Sequence, residues 1–232
     1  MAPSVPTLGL PDNITACLFD LDGVITKTAI QHAKAWKRVF EARGIPFDEV
    51  KDYDDYVDGK PREEGVRSLL EARHITATPE LVEAIATEKD RLFLDLIKKE
   101  GVETYPSSVT YVERAKQKGL KVAVVSSSRH TTEVLEAAKL TKLFDAQMDG
   151  IVAAREHLQG KPNPDTYLKA AEMLHTEAHD AAVYEDALAG VEAGRNGHFG
   201  MVIGVDRAHQ REALKQHGAG VVVEDLQELL HA

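Results

Sequence analysis

A single cysteine, Cys17, in a chain of 232 residues excludes an internal disulfide and suits a reducing, cytoplasmic compartment. Its place inside the apolar run Thr15-Ala16-Cys17-Leu18-Phe19 makes it core filler rather than a nucleophile. Positive charge is also scarce. Lys and Arg number 28 against 38 Asp and Glu, the formal charge is -10, and no basic cluster interleaved with aromatics occurs. General nucleic-acid binding, which works by neutralising phosphates, is thereby excluded. No apolar run approaches the length of a membrane span. The opening Met1-Ala2-Pro3-Ser4-Val5-Pro6 lacks the basic and apolar stretches of a signal peptide, so residues 1–13 read as a short flexible tail. Internal repeats are absent too; Gly-Lys-Pro recurs at Gly59 and Gly160, but in unrelated surroundings.

The rest is the composition of a soluble protein. A 43% hydrophobic content over this length allows one core domain and a smaller insert without metal or disulfide staples. From Gln31 to Glu103 the pattern is helical, with Trp36, Val39 and Phe40 on one stripe and Leu69, Leu70, Leu81, Ile85, Leu92 and Leu96 on others. This predicts a small helical cap over 31–103, in which the charged stretch Glu88 to Glu100 is a solvated helix face. Apolar β runs at Thr15 to Phe19, Lys121 to Val125, Ala181 to Tyr184, Met201 to Val205 and Val221 to Val223 alternate with helix-like segments. That alternation predicts an α/β core with a parallel sheet, built from 14–30 and 104–232. The regions Thr28 to Ile30 and Tyr105-Pro106 are expected to be the hinge strands between core and cap.

Two patterns with ligand-like spacing are set aside. Gly194, Gly197 and Gly200 follow a helix and precede a strand, the reverse of a dinucleotide loop, so no nicotinamide cofactor is expected. His175 and His179 are spaced for one helix face but lack a third ligand, and read as exposed helical histidines.

Chemistry enters at Asp20-Leu21-Asp22-Gly23. The acids emerge at the carboxyl end of an apolar strand, where open α/β sheets bind ligands, and Gly23 permits a turn that brings both to one small ligand. A divalent cation between them would neutralise their repulsion and leave one oxygen free to attack phosphorus; the second acid suits general acid/base work. A plain polar turn is the alternative for this segment alone. Later segments add to it. Ser126-Ser127-Ser128 sits between a β run and a helix, a place suited to an anion. Lys161 stands in the turn Gly160-Lys161-Pro162-Asn163-Pro164, and Glu185-Asp186 closes another β run with hard oxygen ligands. Arg62, beside Gly59 and Pro61, falls in a predicted cap loop, where an arginine can hold phosphate bidentately.

Taken in order, these segments resemble the four motifs of the haloacid dehalogenase superfamily. The run from Phe19 through Thr28-Ala29, His32, Ala35 and Trp36, with Gly59-Lys60-Pro61-Arg62-Glu63, Ser126-Ser127-Ser128, Lys161-Pro162-Asn163-Pro164-Asp165 and Glu185-Asp186, resembles its β-phosphoglucomutase-like branch. The likeness runs roughly from Ile14 to Val223. It implies a Rossmann-like parallel-sheet core with an inserted helical cap, and a magnesium-dependent phosphoryl transfer on a sugar phosphate by a cytoplasmic monomer. It further implies that Asp20 is the phosphorylated nucleophile and Asp22 the acid/base. Magnesium would be held by Asp20, the Asp22 backbone carbonyl, Glu185 and Asp186. Ser126, Ser127 and Lys161 would grip the transferring phosphoryl group, while His32 acts near the acid/base and Arg62 on the distal phosphate. Lys60, Asp58, Ser128 and His130 would line the sugar side. The chain departs from the family pattern at Lys27, where Asp is common, at Asp58, where Lys is common, and at Arg129-His130, where Lys-Asn is usual. Asp58 and His130 bear on substrate identity more than on reaction class. A phosphatase using the same covalent step is the alternative activity, and a silent binding module the alternative of another kind.

Overall fold

Alternation along three short strands organises the core. In the computed structural model, which describes residues 8–230, β1 (Ala16–Asp20) points Cys17 and Phe19 into one apolar cluster and Ala16 and Leu18 into another. α1 (Ala29–Glu41), α2 (Arg62–Ala72), α3 (Pro79–Glu100) and α4 (Pro106–Gln117) come next in the chain, and β2 (Lys121–Val125) repeats the alternation, with Val122 and Val124 opposite Ala123 and Val125. α5 (Thr131–Ala137), β3 (Ala146–Met148), α6 (Gly150–Glu156) and α7 (Asp165–Met173) lead to β4 (Ala181–Glu185), where Ala182 and Tyr184 face away from Ala181 and Val183. α8 (Leu188–Asn196), β5 (Met201–Val205), α9 (Arg211–His217) and β6 (Val221–Val223) follow, with a 3-10 turn at Leu226–Leu230 after them. All strand pairs are parallel, in the order β3-β2-β1-β4-β5-β6. Strands buried on both faces need apolar residues at nearly every position, as their sequences have.

The order runs outward from β1 to one side and from β4 to the other, so the topological switch lies between these two strands. Phe19 stacks on Tyr184 across that boundary, 4.3 Å between ring centres. The hydroxyl of Tyr111 donates to the Leu8 carbonyl at 2.7 Å and lies 2.9 Å from that of Tyr184, so these buried polar groups are paired. Leu8 is itself buried. Of the predicted tail, residues 1–7 lie outside the described residues, and Leu8 packs into the apolar core, its carbonyl accepting from Tyr111.

Between β1 and α4 the helices α1, α2 and α3, with a turn of π-helix at Tyr53–Val57, gather an apolar core of their own from Trp36, Phe40, Phe47, Leu69, Leu70 and Ile85. Thr78 caps α3 by accepting from Leu81 N, and Pro79 follows at the first turn, where its missing N–H leaves no bond unmade. Several expectations change here. The chain crosses between core and cap at Ile25–Lys27 and Glu103–Tyr105, where Lys27 N donates to Glu103 O and Tyr105 N to Ile25 O, both at 2.9 Å. Thr28 to Ile30 is no hinge strand, because Ala29 already begins α1, and Pro106 begins α4. Arg62 is the first residue of α2, not a loop residue. His175 and His179 share no helix face: α7 ends at Met173, and His175 adopts positive φ (51°). The edge strand β3 went unread, since Ala146-Gln147-Met148 is three residues long and lacks β-branched residues. Among the described residues no helix is long and apolar enough to cross a membrane.

Candidate active site

The last residues of adjacent strands make the centre of the site. Asp20 ends β1 and Glu185 ends β4, and the pairing of Phe19 with Tyr184 sets the two acids side by side. Period two then places both on the face of Leu18 and Val183, which α7 covers. Lys161, 1% exposed in the loop before α7, donates from Nζ to Asp20 Oδ1 and to Glu185 Oε1, each at 2.5 Å. Tyr167 of α7 donates its hydroxyl to Glu185 Oε1 at 2.8 Å, and Ala187 N donates to Oε2 at 3.2 Å. Burial works against the Lys161 charge, but Asp20 and Glu185 outweigh it and hold the ammonium protonated well above its usual range. Burial pushes the Asp20 carboxyl up, with Glu185 and Asp22 adding repulsion that Lys161 only partly offsets.

Asp186 joins them from the next position. Gly23 has φ +91°, and a Cβ there would fall 1.7 Å from Asp186 Oδ2, so only glycine lets the Asp20 loop close around that carboxylate. Asp20, Glu185 and Asp186 each offer an oxygen within 4.8 Å of the other two. Three carboxylates face one ammonium, and burial with mutual repulsion lifts the Asp186 carboxyl as it does Asp20. Hard oxygens with an excess of two negative charges fit a divalent cation of the magnesium or calcium kind.

Asp22 is turned to a different set of partners. Thr28 donates to its Oδ1, Ser126 Oγ donates to Oδ2 at 3.4 Å, and His32 Nε2 lies 3.4 Å from Oδ1. Burial would raise this carboxyl, yet His32, Thr28 and Lys89 outweigh burial and hold it at about 2. His32, buried and stacked on Phe93 at 3.9 Å between ring centres, receives Lys89 Nζ at Nδ1 from 2.9 Å. Burial and the Lys89 charge both lower the His32 pKa. Burial in turn brings Lys89 down to about 8.

The serine loop joins core to cap. Ser126 Oγ accepts from Ser128 N and Ser128 Oγ from His130 N, both at 3.1 Å, while Ser127 Oγ donates to the cap carbonyl of Gly59 at 2.8 Å. Asp58 lines the same cavity as the acidic cluster, and burial and the charge of Glu185 push its carboxyl up to about 7. Lys60 donates to Ser68 Oγ at 3.1 Å, and burial lowers its pKa. Arg62 is engaged by Asp90 and by Glu63 Oε1 at 2.9 Å, and His130 Nε2 lies 3.2 Å from Asp90 Oδ2. A partly open cavity, about 210 Å³, runs from Asp20 and Asp22 to Arg62 and Asp90; Ser126, Lys161 and His130 are not part of its lining.

Sequence reasoning missed Lys89 and Asp90 because the Glu88 to Glu100 stretch looks solvated. Only part of it is. Lys89 falls in register with Val82, Ile85, Ala86, Phe93 and Leu96 on the buried face of α3, and a charge on an apolar stripe was the signal that could have found it.

A parallel sheet with acids at the ends of its central strands, an anion-suited loop beside them and a helical cap above defines a class of phosphoryl-transfer enzymes. The chain belongs to the haloacid dehalogenase-like hydrolases, whose family model matches residues 14–198. It is similar to the β-phosphoglucomutase of Mycobacterium bovis, at 44% identity over 96% of this chain and 94% of that protein. It is also similar to the phosphorylated carbohydrates phosphatase of Thermotoga maritima, at 32% identity over 90% and 93%. Among solved structures, the β-phosphoglucomutase of Clostridium difficile superposes with a TM-score of 0.82 at 28% identity, covering 93% of each chain.

Proposed function

We propose that the protein is a magnesium-dependent phosphomutase that interconverts β-D-glucose 1-phosphate and glucose 6-phosphate, working as a cytoplasmic monomer. Phosphorylated Asp20 donates its phosphoryl group to one sugar hydroxyl while Asp22 takes that hydroxyl's proton. The bisphosphorylated sugar turns round, Asp20 recovers a phosphoryl group from the other end, and Asp22 returns the proton to the departing oxygen. A magnesium ion held by Asp20, the Asp22 backbone carbonyl, Glu185 and Asp186 would supply the positive charge that lets nucleophile and phosphoryl group approach. Lys161 and the Ser126-Ser127 loop orient the phosphoryl oxygens, and Arg62 receives the distal phosphate. The helices of residues 31–103 close over the sugar and exclude water.

The observation that carries this reading is how Asp22 is held. Its carboxylate is gripped by Thr28 and His32, at the cap of α1 and in its first turns, so the acid/base is aligned by the domain that closes over the sugar. Such coupling favours transfer to a sugar hydroxyl over transfer to water. The 32% identity to a carbohydrate-phosphate phosphatase supports the second reading, in which water completes the same covalent cycle.

The two are separated by supplying β-glucose 1-phosphate with a trace of glucose 1,6-bisphosphate, and measuring glucose 6-phosphate and inorganic phosphate together. The mutase yields isomer with little phosphate; phosphate without isomer favours the phosphatase. Turnover retained by Asp20→Ala would reject both.

A further inference from the structure

Asp90 stands at the distal end of the cavity, between Arg62 of the cap and His130 of the core. It sits on α3, 13% exposed, with Oδ2 bonded to Arg62 Nη1 of α2 and 3.2 Å from His130 Nε2 at the start of α5. Lys89 Nζ stands 3.7 Å from its other oxygen. Burial opposes ionisation of Asp90, but His130, Lys89 and Arg62 outweigh it and hold the carboxyl at about 2, so it is an anion under ordinary conditions. Nearby, Arg129 of the core reaches Glu63 of the cap at 3.3 Å, but across an exposed surface where solvent weakens the pair. The contact through Asp90 is the sheltered one.

A carboxylate oxygen between an arginine and a histidine occupies the kind of place that a phosphoryl oxygen, an acceptor of the same charge sign, takes. From this, and resting on the sugar-phosphate reading above, we infer that Asp90 is a positioning residue that latches the cap to the core through His130 and competes with the distal phosphoryl group of the substrate for Arg62 and His130. The carboxylate takes the place beside Arg62 and His130 and ties the two domains together. An incoming dianion replaces it, so the cap is released from Asp90 only as it becomes tied by the ligand. Asp90 therefore sets a threshold that a singly charged or weakly bound ligand does not pass, which selects for a phosphate at that end of the sugar.

The variant Asp90→Asn keeps the shape and removes the charge. Because Cys17 is unique and buried, cysteines introduced by Glu71→Cys on the cap and Lys142→Cys on the core accept a dye pair cleanly. The ligand-free label distance is expected to increase in Asp90→Asn, and also in His130→Gln, which removes the core partner and serves if the first variant fails to fold. With β-glucose 1-phosphate, Asp90→Asn is expected to lower KM about tenfold, the scale of one charge-assisted hydrogen bond, without raising kcat. A merely structural role would lower stability or kcat and leave KM unchanged or raised. An unchanged label distance overturns the latch, and an unchanged or raised KM overturns the competition. If the wild type turns over no sugar phosphate, the function proposed above fails, while the ligand-free distances still decide the latch.

Discussion

Lys89 Nζ lies 2.9 Å from His32 Nδ1, and both side chains are buried. An ammonium can only donate, so Nδ1 accepts and the imidazole proton resides on Nε2, the nitrogen that faces Asp22 at 3.4 Å. A lysine on the cap thus sets the tautomer of a histidine that steadies the predicted acid/base.

Replacing that lysine tests the chain of contacts. In Lys89→Met the fixed Nε2–H tautomer is lost, and His32 titrates at higher pH because burial alone then depresses it. Nitrogen-15 NMR of the imidazole reads both changes. Catalytic efficiency should fall about 10- to 100-fold, the worth of one charge-assisted hydrogen bond.

Gly23→Ala is expected to disable the site without touching any acid. The new Cβ meets Asp186 Oδ2 and the backbone is at φ +91°, so either the loop or Asp186 must move. Strain of this kind costs about 1–3 kcal/mol. Calorimetric titration with magnesium should show binding weakened or lost, and thermal unfolding should show a lowered Tm.

Lys161→Met leaves Asp20 and Glu185 facing each other without their shared cation. Removal of one partner from such a buried group destabilises by about 3–5 kcal/mol, and loss of a preorganised donor to the phosphoryl group lowers kcat about 100- to 1,000-fold. Added magnesium should restore part of the lost Tm but not the lost rate, which thermal melts and steady-state assays separate.

Asp58 makes a prediction about pH. Its folded pKa of about 7 is raised above the unfolded value of about 3.9, so the fold binds this proton more tightly than the unfolded chain does. The group therefore destabilises the fold above pH 7, and the penalty is relieved as pH falls from about 7 towards 4. Allowing for solvent screening at the cavity wall, the effect is on the order of 1–2 kcal/mol. In metal-free protein, Asp58→Asn should raise Tm at pH 8 and remove this component of the pH dependence; equal Tm values at pH 8 would contradict it.

Five of the six strands were legible because a strand buried on both faces is apolar at nearly every position, as the runs at Cys17, Val122, Val183 and Ile203 are. Short β3 escaped, since three residues without β-branching carry too little pattern. The acids Asp20, Asp22, Glu185 and Asp186 were legible by position, because charges directly after apolar strands can only emerge at the sheet's edge. That Arg62 and His130 both stand against Asp90 was not legible, because nothing local says which carboxylate meets them.

Local order along the chain was thus enough to place each acid at a strand end, since burial patterns act through neighbours two to four residues apart. Packing between distant segments settled the rest. Lys161 meets Asp20 across 141 positions and Lys89 meets His32 across 57. The identity of a charged side chain's partner depends on which surfaces are pressed together, and burial then makes that partner obligatory.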